Sequence, residues 1–196
     1  MAIKRIDMEH LPYSHIDRGT LLVASPDLDS GLSFRSIVIL CDHSSAGSFG
    51  LMINKPLSIE LPEEILKLEE MTNPNLELRI GGNVQQSQLM LLHGFNGSPD
   101  QTLKICEGVF LGGDLAFLQV LATDPSFPPV RLCFGYSGWG PGQLEREFLA
   151  GNWFLHPGSK RLAFETPPDE LWKTVLREMG GKFAPLSMIP EDLSLN

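Results

Sequence analysis

The sequence predicts an α+β domain with a mixed, mostly antiparallel sheet. Three observations carry this. Short apolar runs rich in β-branched residues recur along the chain, several follow one another with only a turn between them, and segments of helical period are few and short. A regular βαβ winding would require a helix in each of those connections.

Residues 21–25, Leu-Leu-Val-Ala-Ser, read as a buried strand closed by Pro26, and residues 36–41, Ser-Ile-Val-Ile-Leu-Cys, as a second. The turn-forming stretch 42–48 leads into a third run at 49–54, which gives a hairpin whose loop is longer than the two-residue kind. At 60–71 the period changes. Pro62 suits a first helical turn, Glu63 and Glu64 favour its positive end, and Ile65, Leu68 and Met71 fall three apart, so an amphipathic helix is expected. Residues 76–80, 89–93 and 109–111 read as strands, the first and last running into Gly81-Gly82 and Gly112-Gly113. Asp114 can cap a helix with Leu115, Leu118 and Leu121 on one face.

Residues 130–136 form the clearest late strand and lead into a glycine-rich loop at 137–143. Leu144 and Phe148 then share a face of a short helix that Gly151 can terminate. Residues 153–155 and 161–164 read as brief strands, and Pro168 opens a last helix with Leu171, Trp172, Val175 and Met179 inward and Gly180 closing it. The length of 196 residues fits one domain over 1–196, with the leader 1–18 and the tail 184–196 expected to be loosely held.

Twenty-four acidic residues against fifteen basic ones give a net charge of −9, and no basic stripe offsets it. Phosphate binding by bulk charge needs a basic footprint, so this balance argues against direct nucleic-acid binding. Five carboxylates, Glu60, Glu63, Glu64, Glu69 and Glu70, stand against Lys67 alone in the acidic helical segment. No membrane span or secretion signal is expected. Cys41, Cys106 and Cys133 form an odd set without ligand spacing, which points to reduced thiols, a cytoplasmic setting, and neither a metal nor a cofactor.

The densest local signal is Gly135-Tyr-Ser-Gly-Trp-Gly-Pro-Gly-Gln143 between a strand and a helix. It lacks the Lys-Ser/Thr ending of a P-loop and the spacing of a dinucleotide fingerprint. Ser137 does not meet the nucleophile-elbow pattern, since Trp139 stands two residues after it, and His156 and Asp169 follow in the wrong order for that fold. Cys41 and His43 are two apart, so on a regular strand they would share a face as a thiol and its base; a thiol-dependent enzyme is therefore one alternative. Trp153 and Trp172 lie in apolar-periodic segments and read as core, whereas Trp139, flanked by glycines, is the candidate for exposure.

Several segments together resemble the AlgH/YqgE family of bacterial proteins: residues 21–26 (Leu-Leu-Val-Ala-Ser-Pro), Phe34-Arg35-Ser36, Leu40-Cys-Asp-His43, residues 50–56 (Gly-Leu-Met-Ile-Asn-Lys-Pro), Gly81-Gly82, Leu92-His93-Gly94 and the glycine-rich loop through Leu144. The resemblance runs from about Gly19 to Gly180. It implies a bent, bifurcated sheet forming a pseudo-barrel flanked by helices, without a recognised catalytic set. The family's name comes from a proposed role in regulating transcription of alginate synthesis. This chain departs from the pattern at Asn83, where proline commonly follows the glycine pair, and at Ser137, where alanine is frequent.

The expectation is thus a non-enzymatic cytosolic binding or regulatory protein with a protein partner open to it and its oligomeric state unset. Its candidate contact comprises Gly81, Gly82, Asn83, Ser137, Gly138, Trp139, Gly140 and Gln143. The alternatives are thiol chemistry at Cys41 and His43 and a regulator acting directly on DNA.

Overall fold

The apolar runs become strands of one curled sheet. The computed structural model describes residues 15–28, 31–57, 73–96, 102–124 and 126–190. In chain order the strands are β1 (Thr20–Ala24), β2 (Ile37–Ser44), β3 (Gly47–Met52), β4 (Leu76–Ile80), β5 (Val84–His93), β6 (Thr102–Cys106), β7 (Val109–Gly112), β8 (Val130–Trp139) and β9 (Trp153–Pro157). The helices are α1 (Leu115–Thr123), α2 (Gln143–Leu149) and α3 (Pro168–Met179). The strand order is β6-β7-β5-β8-β3-β2-β1-β9, with β4 pairing β8 off that path. Every pairing is antiparallel except β4 with β8. The fold is α+β, as the sequence predicts.

Three apolar clusters explain the curl. Alternate residues of β1 and β2 face opposite ways: Leu21, Val23, Ile37 and Ile39 point into the interior with Leu171, Trp172 and Val175 of α3. Leu22, Val38 and Leu40 point outward against Leu144 of α2. Strands buried on both faces read as continuous apolar runs, which is why 21–24 and 37–41 show no polar alternation. The third cluster packs Leu118, Leu121 and Ala122 of α1 on Val130, Leu132 and Phe134 of β8.

β8 belongs to two sheets at once. Its first half lies between β4 and β5, with Phe134 opposite Ile80 and Leu89, and its second half pairs β3 at 137–139. The junction is Gly135, whose φ of 69° only glycine adopts at little cost. Cys133 and Tyr136 consequently both pack on the interior cluster although they stand three positions apart. The chain crosses this junction at Gly82, where a Cβ would come within 2.2 Å of the Tyr136 carbonyl. The bent, bifurcated sheet that the resemblance implied is therefore built on one left-handed glycine and one close backbone crossing.

Several local expectations are corrected. β2 runs through Asp42, His43 and Ser44, so the hairpin loop is Ser45-Ala46 alone. The Ser44 hydroxyl accepts from the Ala46 N–H at 3.2 Å and holds the turn tight. β6 was not expected. Residues 161–165 form a π-helical turn instead of a strand: Leu162, Ala163 and Phe164 are all buried, and Ser159 Oγ accepts from the Leu162 N–H. The glycine-rich loop is strand as far as Trp139. Residues 184–188 form a 3-10 turn, and the Arg35 guanidinium, 4.8 Å from the Trp172 ring, donates to the Ile189 and Pro190 carbonyls, so this stretch of the tail is held. The acidic helix expected at 60–71 lies outside the described residues, as do residues 1–14 and 191–196.

Buried charge is concentrated where β4 meets β8. The Arg79 and Arg131 guanidiniums, each about 5 % exposed, share the Glu77 carboxylate and otherwise donate to backbone carbonyls, Arg79 to Ile53 and Leu78 and Arg131 to Asn75, Val130 and Phe164. These bonds tie β4, β8 and the 161–165 turn to one another.

Candidate functional site

The motif residues Trp139 and Gln143 converge on Glu147. The Glu147 carboxylate accepts from the Trp139 indole at 2.9 Å, the Trp153 indole at 2.8 Å and the Gln143 amide at 2.9 Å. Gln143 in turn accepts from the Gly140 N–H at 3.0 Å. The two indoles meet edge to face at 6.0 Å. Trp139, expected to be exposed, is only 8 % exposed, because its ring fills the outer cluster against Leu144 and Trp153. Gln143 is exposed, yet both of its polar ends are engaged.

The remaining members of the expected contact divide. Gly81 and Gly82 are buried at the strand crossing, and Ser137, also buried, donates from Oγ to the Gly81 carbonyl at 3.4 Å. Asn83, Gly138 and Gly140 are exposed. Of the expected set, Gly138 and Trp139 line an open cavity.

That cavity is an open groove of about 630 Å³ between the β2–β3 hairpin and the β5–β8 pair. Phe49, Val84, Met90 and Tyr136 supply its apolar surface, and Asp42, Ser44, Ser48 and Gln88 its polar groups. Phe49, Met90 and Tyr136 also pack on the interior cluster, so the groove is the mouth of the curled sheet. The Phe49 and Tyr136 rings stand at 79° with centroids 6.1 Å apart. β5 reaches the groove through an irregular stretch: Val84 pairs Tyr136 and Leu89 pairs Phe134, leaving the polar run 85–88 opposite Gly135 alone. Asp42, Phe49, Gln88 and Tyr136 are not among the site residues that the sequence points to. The one signal for them was the run Gln-Gln-Ser-Gln at 85–88, too polar for a strand buried on both faces.

The Cys41–His43 pair is separated by a bulge. Leu40 pairs Gly50 and Asp42 pairs Phe49, so Cys41 is the extra residue and the alternation shifts by one. Cys41 is buried in the interior cluster, and burial pushes its thiol well above the usual range. The His43 imidazole bonds Ser48 Oγ at 2.7 Å and lies 3.9 Å from Glu145 on α2, the outer side. Thiol and imidazole therefore face opposite sides of β2, which corrects the shared face that spacing alone suggests.

Among the described residues no cluster of His, Cys, Asp and Glu could hold a metal ion. None of their helices is long and apolar enough to cross a membrane.

A family model described as AlgH-like (DUF179) matches residues 21–184. The chain belongs to the AlgH-like family. This AlgH-like chain is 51% identical over 189 residues to a UPF0301 protein of Chlamydia felis, covering 96% of the chain and 100% of that relative. It is 33% identical over 180 residues to a UPF0301 protein of Chlorobium limicola, covering 91% and 95%. The solution structure of the AlgH protein from Pseudomonas aeruginosa superposes with a TM-score of 0.68 at 25% identity, covering 88% of this chain and 94% of that one. A crystal structure of a Corynebacterium diphtheriae protein superposes with a TM-score of 0.73 at 22% identity, covering 88% and 92%, and shares the fold. The AlgH-like fold accounts for the glycine-rich motif structurally: Gly135 turns β8 from one sheet to the other, and Trp139 and Gln143 fasten α2 through Glu147.

Proposed function

We propose that this AlgH-like protein is a cytoplasmic binding or regulatory protein, acting by association and not by catalysis, and that its contact is the groove between the β2–β3 hairpin and β5–β8. The observation that carries this reading is the groove's inventory of unspent groups. The Tyr136 hydroxyl and the Gln88 amide have no hydrogen-bond partner among the described residues, and both line an open apolar cleft beside exposed Gly138. A cleft that pairs apolar surface with a few available polar groups is the usual form of a binding site. The motif residues Trp139 and Gln143 support it from behind by holding α2 in place.

A photo-crosslinking amino acid placed at Gln88 in cells is expected to yield discrete adducts, and the same group at exposed Gln119 on α1 to yield none. Equal labelling from the two positions, or none from Gln88, overturns the reading. Direct DNA binding gains no support from this surface, because a phosphate entering the groove would meet the Asp42 carboxylate.

A further inference from the structure

We infer that the groove receives an organic cation, an ammonium or guanidinium head on a small apolar body. This rests on the groove being the binding surface. Among the described residues Asp42 is the only charged side chain in its lining. An anion entering there would face that carboxylate, whereas a cation would meet a counter-charge that Arg18 engages only at Oδ1.

The geometry around Asp42 suits such a head group. Asp42 pairs with Phe49 across the hairpin, so carboxylate and ring share one face of the sheet. Arg18 Nη2 lies 3.2 Å from Asp42 Oδ1, leaving Oδ2 without a partner among the described residues. The Tyr136 ring stands at 79° to Phe49, and the two form a corner of aromatic surface beside the carboxylate. Ring faces carry negative charge and attract a cation within roughly 6 Å of the centroid. Val84 and Met90 complete an apolar wall, and Tyr136 and Gln88 line the same cavity. A volume of about 630 Å³ is far larger than a bare ion needs and accommodates a small organic molecule.

The Arg18–Asp42 pair competes with the ligand, but both side chains are partly exposed, so their attraction is screened and weak. Removing Arg18 should accordingly tighten binding, while removing the Asp42 charge should weaken it. A merely hydrophobic groove would respond to neither change.

The test is an NMR titration of the full chain with choline and with its neutral isostere 3,3-dimethylbutan-1-ol. Choline is expected to shift the signals of Phe49, Tyr136 and Gly138 saturably, with the isostere about fivefold weaker or more. Asp42→Asn should weaken choline by about fivefold and leave the isostere's shifts unchanged, which also shows that the variant is folded. Arg18→Ala should tighten choline by about twofold. Equal binding of choline and the isostere, or choline affinity indifferent to Asp42→Asn, overturns the cation assignment and leaves the groove standing as a binding surface. No shift from either probe at about 100 mM also overturns it, and the crosslinking at Gln88 then decides the groove's role separately.

Discussion

The Trp139 indole donates to the Glu147 carboxylate at 2.9 Å, across the boundary between the last residue of β8 and helix α2. The same carboxylate holds Trp153 at the start of β9, so one acid joins two strands and a helix. Glu147→Ala leaves two largely buried indole N–H groups without their acceptor, and an unmade bond to a charged group costs roughly 1.5–3 kcal/mol. Urea unfolding should show a loss of about 3 kcal/mol. Glu147→Gln, which retains one acceptor oxygen, should lose less, and a loss from Ala no greater than from Gln would contradict the role given to this residue.

The three thiols should differ in reactivity. Burial raises the Cys41 thiol strongly and pushes Cys133 up to about 12, while Cys106 is only half-buried and less shifted. Since the thiolate is the nucleophile, iodoacetamide at mildly alkaline pH should modify Cys106 first and reach Cys41 and Cys133 only on denaturation. Peptide mass mapping reads the order; early labelling of Cys41 would reopen thiol chemistry at β2.

His93 sets a pH dependence. Its imidazole is fully buried between Phe110 and Phe117, with Nδ1 accepting from the Phe95 N–H at 3.3 Å and Nε2 without a partner. Burial pushes its pKa down to about 4, against about 6.5 in the unfolded chain. The folded state thus disfavours the proton. The associated stability is fully present above pH 6.5 and is lost as pH falls toward 4, by on the order of 3 kcal/mol. Unfolding measured from pH 7.5 to 4 should show this slope, and His93→Leu should flatten that part of it.

Two glycines of the expected contact should respond oppositely to a methyl group. At Gly82 a Cβ would stand 2.1 Å from the Tyr136 carbonyl carbon and 2.3 Å from the Ser137 nitrogen, both of them backbone atoms. At Gly140 the nearest atom is Gln143 Oε1 at 3.8 Å. Gly82→Ala should abolish folding or cost more than about 4 kcal/mol, as only a severe backbone conflict does, while Gly140→Ala should stay within about 1 kcal/mol. Thermal melts of the two variants give the comparison.

Much of this fold is legible in the order of residues. Doubly buried β1 and β2 announce themselves as unbroken apolar runs, and Asp114 caps α1 as its position suggests, accepting from the Phe117 N–H at 2.8 Å. α3 follows from Pro168 and the spacing of Leu171, Trp172 and Val175. The candidate site was far less legible. Its lining comes from β2, β3, β5 and β8, which the sheet brings together across up to about a hundred residues of chain, and nothing local to Asp42 or Gln88 announces a groove.

By itself the sequence determined the α+β class, most strand and helix positions, the acidic balance and the membership that the glycine-rich motif carries. The tertiary structure decided which side each residue faces. At Cys41 a single bulged residue sends the thiol inward and His43 outward, and at Gly135 a left-handed backbone turns one strand into a member of two sheets. Both are one-residue changes of phase. In a strand of period two, such a change moves every later side chain to the opposite face, and only the partner strands fix where it falls.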